Sequence, residues 1–154
     1  MKDAAAKPKT SRMFNTNWFD PDWHKGNMSA GSNGREEVPG ETAGKGEAWA
    51  AIFNFGTEEC PGRVFISKFE PGAVIHTHDH PNDYCSVIVE GSLSMQRGGQ
   101  SFKVGDIRFV KANTMYGPIV MGPEGCTFIE FHPGPHEPCF DPIARQVFTG
   151  PWIN

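Results

Sequence analysis

"PGAVIHTHDHPNDYCSVIVEGSL", residues 71–93, sets three histidines at alternate positions and runs from them into a β-branched stretch closed by glycine. Side chains at i, i+2 and i+4 of an extended chain point to one face. Extended backbone over 76–80 therefore turns His76, His78 and His80 towards one small volume, as the ligands of a metal ion would be. The run after them, "YCSVIVE" (84–90), is apolar on both faces at its centre, which is the pattern of a strand covered on both sides.

The strand rhythm continues on either side. "EAWAAIFNF" (47–55), "RVFISKFE" (63–70), "SLSMQR" (92–97), "IRFV" (107–110), "CTFIEFH" (126–132) and "ARQVFTG" (144–150) are mostly rich in Val, Ile, Phe and Thr and bounded by Gly or Pro. Eighteen glycines and thirteen prolines leave little room for long helices. Many short strands at regular spacing are the mark of an all-β sandwich or barrel, and 154 residues suffice for one such domain with a real core.

The first part of the chain differs. "NMSAGSNGREEVPGETAGKG" is too polar and glycine-rich to form a core, so residues 1–45 are expected to be an extended arm and 46–154 the barrel. The arm carries Phe14, Trp18, Phe19 and Trp23. These aromatics have two destinations, their own barrel or a neighbouring subunit; with the second goes the expectation of a homodimer.

A net charge of −4 with no long basic run argues against nucleic acid or an anionic membrane as partner. No stretch approaches the ~20 apolar residues of a membrane span, and "MKDAAAKPKTSR" is not followed by the apolar core of a signal peptide. Cys60, Cys85, Cys126 and Cys139 are scattered, and Cys85 and Cys126 fall in apolar strands, as reduced thiols do. A cytoplasmic protein acting on a small molecule is expected.

The opening stretch resembles the first motif of the cupin superfamily: Gly, five residues, His-x-His, three or four residues, Glu, six residues, Gly. Gly72, His78, His80 and Gly91 fall on those spacings, with Tyr84 in place of the Glu. "GDIRFVKANTMYGPIV" (105–120) is similar to the second motif: Gly105 fits, Lys111 and Asn113 replace its Pro and Gly, and Tyr116 replaces its His. The resemblance implies an antiparallel jelly-roll barrel over roughly residues 47–150. It also implies a transition metal (Fe, Mn, Ni or Zn) held by His78 and His80; a bend at the strand end before Pro81 would add His76 as a third imidazole. A different alignment pairs His76 and His78 with Asp83 but places the next glycine one residue too far.

Tyrosine changes the chemistry at both altered positions. A neutral phenol titrates near about 10 and binds Zn²⁺ or Fe²⁺ poorly, whereas it donates a hydrogen bond well. Glu130 shares a strand face with Cys126, Phe128 and His132, and an acid in a barrel strand needs a polar or positive partner. Tyr84, Tyr116 and Glu130 are thus the candidate catalytic residues. "HPGPHEPCFDP" (132–142), with His132 and His136, reads as a loop, and Met95, Met115 and Met121 as core or pocket wall. Lys68, Arg97, Lys103, Arg108 and Lys111 lie along several strands without forming a phosphate site in sequence.

Three functions remain open at this stage. One is a metal-dependent enzyme acting on a compact carbonyl, enol or phenolic substrate by oxidative cleavage, isomerisation or elimination. Another is a metal-free isomerase or cyclase in which His78 or His80 works with a tyrosine as base and acid. The third is a binding module without catalysis.

Overall fold

A computed structural model describes residues 16–27 and 44–133. Among them are eight strands and no helix: β1 (His24–Asn27), β2 (Glu47–Gly56), β3 (Pro61–Phe69), β4 (Val74–Ile75), β5 (Tyr84–Met95), β6 (Ser101–Lys103), β7 (Ile107–Val110) and β8 (Ile119–Pro133). They pair antiparallel in one sheet ordered β1-β2-β3-β8-β5-β6, with β4 on β8 and β7 on β5. The expected antiparallel all-β architecture is the one that forms. The expected strand at 144–150, Phe14, His136 and Cys139 lie outside the described residues.

Two expectations about strands change. The runs 84–90 and 92–97 are one strand, β5, because the glycine between them makes a bulge and not a turn. The β5–β8 register shifts between Ile88 and Glu90 and again between Gly91 and Leu93. Gly91 has φ 65°, and a Cβ there would run into the carbonyl oxygen of Gly125 on β8. Only glycine lets the two strands pass at that point. The run at 126–132 likewise extends back to Ile119 despite Pro123 and two glycines, since Met121, Val120 and Ile119 still pair with Leu93, Ser94 and Met95.

Alternation along the strands builds the interior. Ala48, Ala50, Phe69, Ile88, Leu93 and Phe128 are at most 5% exposed and form one cluster. The Phe69 and Phe128 rings stack at 5.4 Å. Full burial of the Phe, Ile and Leu side chains among them contributes about 1.5–3 kcal/mol each. Met95 and Met121 belong to this cluster, whereas Met115 is exposed. Cys60, Cys85 and Cys126 are free thiols, and burial pushes the Cys126 thiol up to about 12.

The same alternation carries polar residues inward further along. Ser86 of β5 is paired with Arg108 of β7 on one side and Glu130 of β8 on the other, and Glu130 with Phe65 of β3. Tyr84 and His132, two residues on, share that inward face and are 3% and 1% exposed. His132, read from sequence both as the end of the 126–132 strand and as the first residue of a loop, lies within β8.

Part of the expected arm packs on its own barrel. β1 adds an edge strand to β2, with Lys25 ion-paired to Glu47 at 2.6 Å and placed over the Trp49 ring. Trp18 and Phe19 meet edge to face at 5.1 Å, and Phe19 remains exposed.

Candidate functional site

Backbone pairing sets the first half of the site. His78 and Tyr116 form an isolated antiparallel bridge, each N–H donating to the other's carbonyl at 3.0 Å. The bridge joins the histidine-rich stretch to the tyrosine-bearing one. Asn113, where that spacing has glycine, takes φ 58°, a left-handed conformation that asparagine tolerates better than most residues. Its N–H donates to the His80 carbonyl at 2.7 Å and ties the same two stretches together again.

Side chains then converge. His78 is buried, and its Nδ1 donates to the His76 carbonyl at 2.6 Å, which leaves Nε2 as the basic nitrogen of the ring. His80 Nε2 lies 3.1 Å from the Tyr116 hydroxyl, and that hydroxyl is hydrogen-bonded in turn to the Tyr84 hydroxyl. His80, Tyr116 and Tyr84 are thus one hydrogen-bonded chain. Tyr84 stacks on His132 at 4.7 Å with 7° between the rings, and His132 stands 5.5 Å from His80. Burial raises both phenols well above their usual range, and the Glu130 charge adds to the effect, so both hydroxyls stay protonated.

Beside the tyrosines sits a group of buried charges. Glu130 Oε1 is 3.8 Å from Arg108 Nη2, and its Oε2 is 3.6 Å from His132 Nε2. Burial alone would raise the Glu130 carboxyl; the His132 ring 3.6 Å away, with the charges of His80 and Arg108, outweighs it and holds the group at about 2. Arg108 Nε donates to Ser86 Oγ at 3.1 Å, and its guanidinium lies within 5.9 Å of the Phe102, Tyr116 and Phe128 ring centroids.

The residues singled out in the sequence therefore divide. His78, His80, Tyr84, Tyr116 and Glu130 come together in the barrel interior. His76 turns elsewhere, its Nε2 accepting from the Gly44 N–H at 3.1 Å. Asp83, the carboxylate of the other alignment, is exposed and accepts from Lys111 and from the Ala112 N–H. Arg108 and His132 are additions that the sequence did not single out. The signal for His132 was its shared face with Glu130. Arg108 gave none, because it sits between Ile107 and Phe109 and hydrophobicity turns the strand the wrong way round: those two are 60% and 78% exposed while Arg108 is 7%.

The metal ion implied by the motif resemblance finds few free donors here. Among the described residues no group of three or more His, Cys, Asp or Glu side chains is placed to hold an ion. Protonated phenols stand at two of the positions where the motif has a carboxylate and an imidazole, and His80 Nε2 is engaged by Tyr116. The expected set of His76, His78 and His80 does not form a metal centre in this arrangement.

Two cavities reach the site. One of about 410 Å³ is lined by Tyr84 and His132 together with Phe55, Phe109 and Phe131. The other, about 550 Å³, is lined by Tyr116 and Arg108 with Arg97, Phe102 and Met115. Both volumes suit a small organic molecule.

No family model matches the sequence, and no curated protein is significantly similar to it. Solved structures do match. The chain is similar to an acetylacetone dioxygenase from Acinetobacter johnsonii at 14% identity and a TM-score of 0.50, over 86% of this chain and 80% of that one. An RmlC-like cupin from Shewanella frigidimarina is 24% identical with a TM-score of 0.48, over 64% and 84% of the two chains. KdgF from Halomonas is 20% identical with a TM-score of 0.45, over 68% and 86%. At such identities the likeness is one of fold.

Proposed function

The chain has the cupin fold, and from that premise we propose that it is a small-molecule enzyme that moves protons on a compact carbonyl or enol substrate. The observation that supports this reading above others is the hydrogen-bonded chain His80–Tyr116–Tyr84 within the barrel. Isomerisation next to a carbonyl needs a group that takes a proton from carbon and a group that gives one to oxygen. His78 and His80 supply the basic nitrogens. Tyr116, kept protonated by burial, supplies the acid, and Tyr84 donates to Tyr116 while Tyr116 donates onward to His80 or to substrate. When Tyr116 gives its proton to the substrate oxygen, the Tyr84 hydroxyl is placed to stabilise the charge left behind.

A metal-dependent reading retains one observation in its favour: His78, His80 and His132 stand in ring-to-ring contact, at 5.1 Å and 5.5 Å.

The test uses the full chain purified without a tag or added metal. It is incubated in D₂O with pyruvate, 2-oxobutanoate or acetylacetone, and deuterium entry beside the carbonyl is followed by NMR. Exchange above the uncatalysed rate that is lost in Tyr116→Phe would support the reading. Exchange unaffected by Tyr116→Phe, or absent with all three probes, would overturn it. A stoichiometric transition metal in the purified protein would favour the metal-dependent reading instead.

A further inference from the structure

We infer that Arg108 is the anchor for a negatively charged substrate group, and that the substrate is a small organic carboxylate. The inference deepens the proposed function and rests on it for the location of the reacting atoms. Three observations carry it.

Arg108 is 93% withdrawn from solvent, at 7% exposure, yet its hydrogen bonding is incomplete. A guanidinium has five N–H donors. Nε is used by Ser86, Nη2 meets Glu130 only at 3.8 Å, beyond hydrogen-bond length, and Nη1 is buried with no partner among the described residues. An unpartnered charged donor at such depth is costly unless something fills it.

Next, Arg108 is held rather than free to leave. The Phe102, Tyr116 and Phe128 rings surround it at 5.7–5.9 Å. Ser86 and Glu130 fix its two ends from neighbouring strands. Glu130 balances the charge while leaving one edge of the planar fork unsatisfied. A carboxylate fits that edge, because its two oxygens match two N–H groups of the fork.

Finally, the cavity of about 550 Å³ that Arg108 lines carries cationic side chains. Arg97, Arg108 and Lys111 are on its wall and no Asp or Glu is, although Lys111 is ion-paired with Asp83 outside it. These three residues, dispersed in sequence, are gathered by the fold around one space, and Tyr116 lies on the same wall. With the guanidinium 5.7 Å from the Tyr116 ring centroid, a carboxylate on Arg108 would lie close to that ring.

Binding, measured apart from turnover, tests this. Acetate, pyruvate, malonate and benzoate would be titrated into the full chain by saturation-transfer NMR and calorimetry, beside methyl pyruvate, benzamide and inorganic phosphate. At least one carboxylate should bind about tenfold or more tightly than its uncharged counterpart and than phosphate. Arg108→Lys keeps the charge without the fork and should erase most of that preference. Because Arg108→Ala strands Glu130, the second variant is the double Arg108→Met, Glu130→Met, which removes both charges together. It should fold, by its circular dichroism, and bind charged and uncharged probes alike. Equal affinity for carboxylate and ester in the native protein, no carboxylate binding, tighter phosphate binding, or a preference that survives in the folded double variant would each overturn the inference. Carboxylate preference retained in a Tyr116→Phe protein, with no deuterium exchange in the native one, would sink the proposed proton transfer and leave the Arg108 anchor standing.

Discussion

Ile88 and Phe128 face each other across β5 and β8; so do Ser86 and Glu130, two residues further along the same strands. The first pair belongs to a sealed apolar core, the second to a set of buried charges and hydroxyls. Backbone geometry is the same in both places. What differs is how each half is made stable. The apolar half gains from burial that is non-directional and additive in area. In the polar half each group is costly alone, and is tolerated only because it is paired: Glu130 by Arg108 and His132, Tyr116 by His80 and Tyr84. The core half holds the barrel together, and the paired half is held by contacts among its own members.

Removing volume from the core half should have the largest effect. Leu93→Ala, at a side chain 2% exposed, should cost about 2–5 kcal/mol in denaturant unfolding. The molecules that remain folded should keep their deuterium exchange, since Leu93 touches none of the polar group's hydrogen bonds.

Acid should act on the other half alone. Glu130 titrates at about 2 in the fold against 4.5 for an ordinary glutamate. Its folded value is the lower, so its stabilising contribution is present above 4.5 and fades as pH falls towards 2. With the side chain only 14% exposed, the shift corresponds to about 3 kcal/mol. Glu130→Gln should flatten the stability–pH curve in that window. A curve identical to that of the native protein would show that Glu130 is not the group that senses acid.

Tyr116→Phe should be milder for stability and severe for activity. Loss of one hydroxyl from the chain should cost about 1 kcal/mol in unfolding, but the exchange rate should fall by about 10²–10⁴. A large loss of stability with unchanged exchange would move Tyr116 from the paired half into the structural one. The smallest effect belongs outside both halves. Lys111→Ala breaks an ion pair with Asp83 in which Lys111 is 81% exposed, and the unfolding midpoint should stay within experimental scatter.

The sequence made the frame of this molecule legible and left half of its charges hidden. The frame read from glycine spacing set His78 against Tyr116 and turned Tyr84 and Tyr116 to one another, because register in a barrel is set by its bulges and turns. Glu130 was visible as an acid among apolar neighbours. Arg108 was not, because a four-residue strand read by hydrophobicity has Ile107 and Phe109 inside. Only pairing with the inward Ser86 reverses it. The histidine triplet misled in a related way. Alternation puts His76 with the other two, but that rule requires continuous strand, and β4 ends at Ile75. Past that point the chain is free to send His76 to the Gly44 backbone.

The place of β8 in the sheet has a consequence for the order of events during synthesis. It lies between β3 and β5, so a nascent chain that has emerged only as far as Tyr116 owns both tyrosines and every residue of "HTHDH" but has two unjoined groups of strands. Each group ends in an open edge at the place β8 will fill, and such edges are sticky. Arrival of residues 119–133 joins the groups and delivers Glu130 and His132 in the same step. Pairings this distant in sequence form late and slowly. The pocket therefore cannot ripen before the barrel is closed, and a ligand that protects the pocket would report completed folding rather than guide it.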